Sequence, residues 1–245
     1  MIDWLQSEIQ DPAVSLGDGR KLPIAIRRRA DAKRLTMRLA PDGSELRVTL
    51  PRWGRTRDAL AFAGERQEWI ERQLSNVPQK LAIGPDTELP FRGTTIRIDW
   101  DEDAPRKPVL EEGFLRLGGP LDSLENRVRR WLEAQALDLL ERDLAHYCAR
   151  DGQEVPQLRL SRAKRRWGSC TSQRDTGRCI RINWRLIMAP DHVRRSVVAH
   201  EVTHLTHFDH SPAFYALLDQ IYDADLAKAD VWLKREGRNL YAAFA

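Results

Sequence analysis

The chain has 245 residues, 42% of them hydrophobic and 31% charged, with a formal net charge of +4. This is ordinary globular composition, long enough to bury a sizeable core as one domain or two, and it argues against a disordered chain. No run approaches the roughly 18 apolar residues of a membrane span, and Met1 to Glu8 lack a basic stretch followed by an apolar one, so a cytoplasmic protein with no membrane partner is predicted.

Residues 1–18 carry little pattern and read as a loosely attached N-terminal arm. From residue 19 the signal is β. Leu22, Ile24 and Ile26, then Leu35, Met37 and Leu39, then Leu46, Val48 and Leu50 alternate with polar or small residues, and Pro41-Asp42-Gly43 supplies a turn. The pattern predicts antiparallel strands with one wet face. Thr56 to Leu74 reads as one helix with Thr56 as N-cap, burying Ala59, Phe62, Ala63, Ile70 and Leu74. Strands at Thr94–Trp100 and Phe114–Leu117 follow. Gly118-Gly119-Pro120 then marks a boundary, giving a β-rich region over 19–119 and a second domain over 120–245.

Beyond that turn, Asp122 to Glu125 has capping-box spacing. Leu124, Val128, Trp131, Leu132, Ala136, Leu139, Leu140, Leu144 and Tyr147 predict a long amphipathic helix ending near Gly152 and packing behind the site helix. Leu158–Leu160, Arg166–Cys170 and Cys179–Trp184 read as strands, the last two joined by the polar loop Thr171–Gly177. One of these strands is a candidate to hold an extended substrate by backbone hydrogen bonds; a buried hairpin is the alternative. Gly168 is expected to permit a close backbone approach or a bulge beside the site. The three cysteines, Cys148, Cys170 and Cys179, form no C-x-x-C pair and predict reduced, structural thiols.

Charge is uneven. Arg159, Arg162, Lys164, Arg165, Arg166, Arg174, Arg178 and Arg181 face one acid, Asp175, with Trp167 and Trp184 in or next to the stretch. The 159–181 segment is therefore a candidate surface for nucleic-acid phosphates, although charges alternating on strands are usually a solvated face. A second basic group, Arg27, Arg28, Arg29, Lys33, Arg34 and Arg38, lies near the N-terminus.

Chemistry concentrates in His200-Glu201-Val202-Thr203-His204, followed by His210. Residues four apart share a helix face, so His200 and His204 can grip one metal ion with Glu201 beside it. Val198, Val202 and Leu205 give the segment Ala189 to Phe208 an apolar stripe on a different side, and Ser211-Pro212 starts a new helix, delivering His210 at a helix corner. His210 is the favoured third ligand, at the spacing of H-E-x-x-H-x-x-G-x-x-H; His207 stands where that pattern has glycine and is the alternative ligand. The chemistry implied is one Zn²⁺ per chain, a metal-activated water, and Glu201 as general base and acid in hydrolysis of a peptide bond of a protein or peptide substrate. Tyr215, Tyr222 and His207 are candidate oxyanion stabilisers, and Asp209, Asn183 and Asp219 candidate partners of the ligand imidazoles. A metal-activated water makes Ser169 or Cys170 unnecessary as nucleophile.

Arg165-Arg166-Trp167-Gly168-Ser169-Cys170, Arg181-Ile182-Asn183-Trp184-Arg185-Leu186, His200 to His204, and His210-Ser211-Pro212-Ala213-Phe214-Tyr215 resemble, in order and spacing, the YgjP-like zinc metallopeptidases. The resemblance is strongest across 160–220 and extends over nearly all the chain after the first 20 residues. It implies an α+β fold with a zincin-like catalytic domain related to SprT-like and WLM proteases. His200, His204 and His210 match the metal ligands and Glu201 the catalytic acid/base. Some related proteases act on proteins crosslinked to DNA, so a nucleic-acid-dependent protease is an alternative, as is a metal-stabilised binding protein without turnover. The intact Glu201 argues against the last, since a structural zinc site needs no such carboxylate.

Overall fold

The computed structural model describes residues 12–40, 43–75, 77, 81–164, 166–173 and 177–244. The chain forms two compact units, residues 1–79 and 80–245, and its content is mixed α+β. Among the described residues no helix is long and apolar enough to cross a membrane.

In the first unit, β1 (Ala13–Ser15), β2 (Lys21–Arg29), β3 (Thr36–Leu39) and β4 (Leu46–Pro51) form a sheet of order β1-β2-β4-β3. The three alternating runs fall on β2 to β4, with Leu22, Ile24, Leu46, Val48 and Leu50 buried. The β3–β4 pair is antiparallel as expected, whereas β2 and β4 run parallel because β3 takes the outer position. The arm expected over residues 1–18 is corrected from residue 13 onwards: β1 pairs with β2, and Val14 and Leu16 enter the core. Residues 1–11 lie outside the described part, as do Pro41 and Asp42 of the expected turn.

The single helix expected over Thr56 to Leu74 is two, α1 (Thr56–Gly64) and α2 (Gln67–Ser75). Arg55 rather than Thr56 is the N-cap, and the Asp58 side chain accepts from the Arg55 backbone N–H at 2.9 Å. Both helices add to the core, through Ala59 and Ala63 and through Ile70.

The second unit opens with a sheet of order β5-β6-β8-β7, built from β5 (Glu88–Phe91), β6 (Thr94–Trp100), β7 (Val109–Glu111) and β8 (Phe114–Leu117). The boundary expected at Gly119/Pro120 is thereby corrected. Leu89, Phe91, Ile96, Ile98, Leu115 and Leu117 share one core with Leu124, Val128 and Leu132 of α3 (Leu124–Asp151). Gly118-Gly119-Pro120 is an internal turn whose carbonyls all accept from the Arg127 guanidinium, while Trp100 Nε1 donates to Gly119 at 2.9 Å. α3 ends as expected at Gly152, left-handed at φ 65°.

The third sheet has the order β10-β11-β9, from β9 (Gln157–Ser161), β10 (Gly168–Gln173) and β11 (Gly177–Asn183), with β10 antiparallel and β9 parallel to β11. A buried 3-10 turn at Trp184–Met188 leads into α4 (Asp191–Thr203), followed by α5 (Pro212–Ile221) and α6 (Leu226–Glu236). As predicted, α3 packs against α4.

Candidate metal centre

Helix α4 carries the metal-site motif, and its position is fixed by both apolar and ionic contacts. Val193, Val197, Val198, Ala199 and Val202 are buried in the main core. At its N-terminal half Arg194, 2% exposed, donates to Asp143 of α3 at 2.8 Å and to Asp191 at 2.5 Å. Arg92, in the β5–β6 turn, holds the same Asp191 with two hydrogen bonds. Arg195 meets Asp223 at 2.7 Å, and Asp223 accepts from the Tyr147 hydroxyl at 2.8 Å. Removing one member of such a buried network strands its partner, so the network fixes where α4 lies. Sequence reasoning missed it; the available signal was Asp143 at a core-facing position of α3.

The helix stops at Thr203 with His204 as C-cap, rather than running to Phe208. The early stop creates the corner that returns His210. Ser211 then caps α5, its Oγ accepting from Phe214 N at 3.4 Å, with Pro212 in the first turn as the sequence suggested; such a cap contributes about 1 kcal/mol. His210 Nε2 comes to 3.2 Å from His200 Nε2. One ring nitrogen from each of His200, His204 and His210 lies within 4.8 Å of the others. The Phe214 ring, buried, stands 4.7 to 4.9 Å from all three imidazoles and walls the cluster on its α5 side. His207, the alternative ligand, is not in the cluster; its carbonyl accepts from His204 Nδ1 at 2.9 Å. That bond assigns the proton to Nδ1 and leaves Nε2 as the donor atom of His204.

Burial, then the neighbouring His204 and His210, bring the His200 pKa down to about 4, so its imidazole is neutral near pH 7. Three convergent imidazoles, one nitrogen from each, are a donor set that fits a tetrahedral divalent ion with one position left for water or substrate.

Glu201 is 5% exposed and turned towards β10. Burial raises its pKa to about 7, against the lowering influence of Arg166 and of a hydrogen bond from the Cys170 backbone N–H. Gly168 makes this placement possible. A Cβ on Gly168 would lie 2.4 Å from Glu201 Oε1 and 2.6 Å from its Cγ, closer than any side chain tolerates. The close approach anticipated at Gly168 is therefore an approach to the Glu201 carboxylate. Asn183 N–H donates to the Trp167 carbonyl at 2.7 Å, and the Trp167 ring lies 5.3 Å from that of Tyr241, so the segment entering β10 is held from two sides.

The family model of the YgjP-like metallopeptidase domain matches residues 33–236, most of both units. The chain belongs to the YgjP-like family. No curated protein and no solved structure matches it. Membership makes it a metallopeptidase in general, a hydrolase that works with a metal cofactor.

Within this YgjP-like domain the remaining candidates separate. Tyr215 stays at the site, half-exposed with its ring 6.4 Å from that of His210. Tyr222 is committed elsewhere, its hydroxyl donating to the His192 carbonyl at 2.8 Å. Asn183 caps the following 3-10 turn through Arg185 N and donates to the Ala163 carbonyl, a structural use. Asp209 and Asp219 face solvent. Cys148 and Cys179 are buried free thiols, and burial pushes the half-buried Cys170 up to about 11, away from a nucleophilic thiolate.

In the basic 159–181 segment, Arg162 is held by Glu133 at 2.9 Å, Arg178 by Gln153 at 2.7 Å and Arg181 by Thr171 at 3.2 Å. Arg165, Arg174 and Asp175 lie outside the described residues. Three of these cations thus have a local structural partner, and for Arg162 that partner is an acid.

Proposed function

We propose that this metallopeptidase is a zinc enzyme in which His200, His204 and His210 hold one ion and Glu201 is the general base and acid. The observation that carries the reading is the convergence of three imidazole nitrogens within 4.8 Å of one another, next to a buried carboxylate whose pKa is raised to about 7. When bound, zinc supplies Lewis acidity at the scissile carbonyl and lowers the pKa of its water to about 7. Glu201 takes the proton of the attacking water on a carboxylate oxygen and returns it to the leaving amine nitrogen, a pairing of tasks suited to a pKa near the operating pH. Gly168 and the Cys170 N–H keep that carboxylate in place. His204 presents Nε2 because its Nδ1 proton is held by the His207 carbonyl. The edge position of β10 beside Glu201 favours this strand as the one that pairs with an extended substrate.

The test is metal content by mass spectrometry of wild type, His204→Ala and His210→Ala, with β-casein hydrolysis by wild type and Glu201→Gln. One zinc per chain in wild type, lost in both histidine variants, and a Glu201→Gln protein that keeps zinc but loses cleavage would support the reading. Wild type that takes up no zinc on reconstitution, or full cleavage by Glu201→Gln, would refute it. A zinc-loaded wild type that cleaves no protein or peptide would point instead to a metal-stabilised binding protein.

A further inference from the structure

Residues 20–57 hold twelve Lys and Arg against three acids, Asp31, Asp42 and Glu45, an excess of nine positive charges in a chain whose total is +4. The rest of the chain is therefore net negative by five. Net charge of this asymmetry speaks to partners rather than to fold. The fold gives it a surface. With the Leu22, Ile24, Leu46, Val48 and Leu50 side chains turned inward, the alternation places Arg27 and Arg29 of β2, Thr36 and Arg38 of β3, and Arg47 and Thr49 of β4 on the opposite face. The register sets Arg38 directly opposite Arg47, and Thr49 between Thr36 and Arg27. Like charges directly opposed on a sheet are destabilising. Among the described residues, ion pairs within this segment or at its edge engage Arg20, Arg29, Arg47 and Arg57, all partly or largely exposed.

At the end of the sheet where Arg29 faces Pro51, β4 runs out into Arg52-Trp53-Gly54-Arg55. Trp53 is 78% exposed, more than any other large hydrophobic side chain described. The turn that presents it is braced. Gly54 N donates to the Pro51 carbonyl at 2.9 Å, and Arg28 reaches over to donate to the Gly54 carbonyl at 3.1 Å and to Thr56 Oγ1 at 2.9 Å. A lone exposed apolar residue needs no explanation. An indole held out in water by a fixed turn, next in sequence to Arg52 and Arg55 and directly following the strand that carries Arg47 and Thr49, brings together the two elements that single strands require: cations for phosphates and an aromatic plane for a base.

We infer that this face of the first unit binds single-stranded nucleic acid, with Arg27 and Arg38 along the backbone phosphates and Trp53 stacked on an unpaired base. A duplex offers no unstacked base to Trp53. An anionic membrane is the poorer match, because the face supplies one aromatic among threonines and arginines rather than an apolar surface to insert. The inference is independent of the metal-site reading.

The experiment is fluorescence anisotropy of the full chain with a labelled oligo(dT) of about 20 nucleotides. The matching duplex, heparin and phosphatidylserine vesicles serve as competitors. Expected is salt-dependent binding to the single strand, weakened about tenfold by Trp53→Ala and restored by Trp53→Phe, because stacking is tolerant of ring type. In the double variant Arg27→Ala with Arg38→Ala, the slope of log affinity against log salt should fall by about 1.4, two phosphate contacts at roughly 0.7 each on a single strand. Unchanged thermal melting of the Trp53 variants would verify that the fold is intact. Any of three results overturns the inference: no binding to the oligonucleotide, affinity indifferent to Trp53, or vesicles or heparin displacing it while the duplex binds as well as the single strand.

Discussion

The two four-stranded sheets, β1-β2-β4-β3 and β5-β6-β8-β7, have the same order and the same senses: an antiparallel pair, a parallel central pair and an antiparallel pair. Each buries one face and wets the other. On the wet face of the second sheet the register opposes charges of unlike sign, Glu88 to Arg97 and Asp99 to Arg116, and Arg116 also meets Glu111 at 2.9 Å. The first sheet opposes Arg38 to Arg47. One architecture thus supports a face whose charges are matched across the strands and one that opposes arginine to arginine and finds its acids, Asp31 for Arg29 and Glu45 for Arg47, within two residues along the chain, so the basic face is not a requirement of the topology. The second sheet lends its buried side chains to the core that carries α4; the first keeps a core of its own.

The largest expected effect separates chemistry from binding. In Gly168→Ala the added methyl must displace the Glu201 carboxylate, and a misplacement of about 1 Å at a reacting group can cost on the order of 100-fold. Casein hydrolysis should fall by about that factor through kcat, with zinc content and oligonucleotide affinity unchanged. Loss of zinc from this variant would mean that Gly168 shapes the histidine cluster rather than the position of the carboxylate.

Next in size, Leu50 and Leu115 are each fully buried, one in either core, and truncation to alanine should cost about 2–5 kcal/mol in both cases. Denaturant titrations followed by zinc release and by oligonucleotide release should differ. Leu50→Ala is expected to shift only the second midpoint and Leu115→Ala only the first. Joint movement of both midpoints in either variant would mean that the two units unfold as one.

How far the sequence carried follows from the range of the forces involved. His200, His204 and His210 were legible because helix periodicity and the Ser211-Pro212 start are local signals, and the structure brings those three together. The stop at Thr203 was not, because no glycine or proline marks it; the helix ends where the His207 carbonyl accepts a hydrogen bond from His204 Nδ1–H. The break between α1 and α2 did have a marker in Gly64, the last residue of α1. Alternation located β2 and β4 but cannot distinguish parallel from antiparallel pairing, and the long connection through β3 permits the parallel form. Gly118-Gly119-Pro120 looked like a boundary because a turn is local, whereas the packing of Leu115 and Leu117 with Leu124 is tertiary. The role of Gly168 lay between these cases: a close approach was legible, its partner was not.

Acid should weaken the second unit more than the first. Burial alone would raise Asp191, but hydrogen bonds from Arg92 and Arg194 outweigh it and hold the group below its ordinary 3.8. Asp223 is likewise lowered by Tyr147 and Arg195 against the opposing effect of burial. A carboxylate with a depressed folded pKa stabilises fully above its unfolded value and loses that contribution as pH falls through the folded one. The window is therefore below about pH 4. Asp18 and Asp31 of the first unit are lowered too, but their partners are solvent-exposed and such pairs contribute little. Chemical denaturation at a series of pH values should show a steep acid limb that flattens in Asp191→Asn and stays the same in Asp31→Asn. An equal response of the two variants would remove the distinction.

The smallest effect is the most direct probe of why the two wet faces differ. Arg38→Glu would give the first sheet the pairing its counterpart already has, an acid opposite Arg47. Replacing opposed like charges by opposite ones is worth about 0.2–1 kcal/mol, so the variant should be slightly more stable than wild type. If the basic face is retained for a polyanion, the same change should weaken oligo(dT) binding and steepen its loss with salt less. Greater stability with weaker binding would identify a surface kept against its own folding preference, as binding sites commonly are. Lower stability in Arg38→Glu would show that Arg38 makes a structural contribution, and the contrast between the sheets would then reflect packing rather than function.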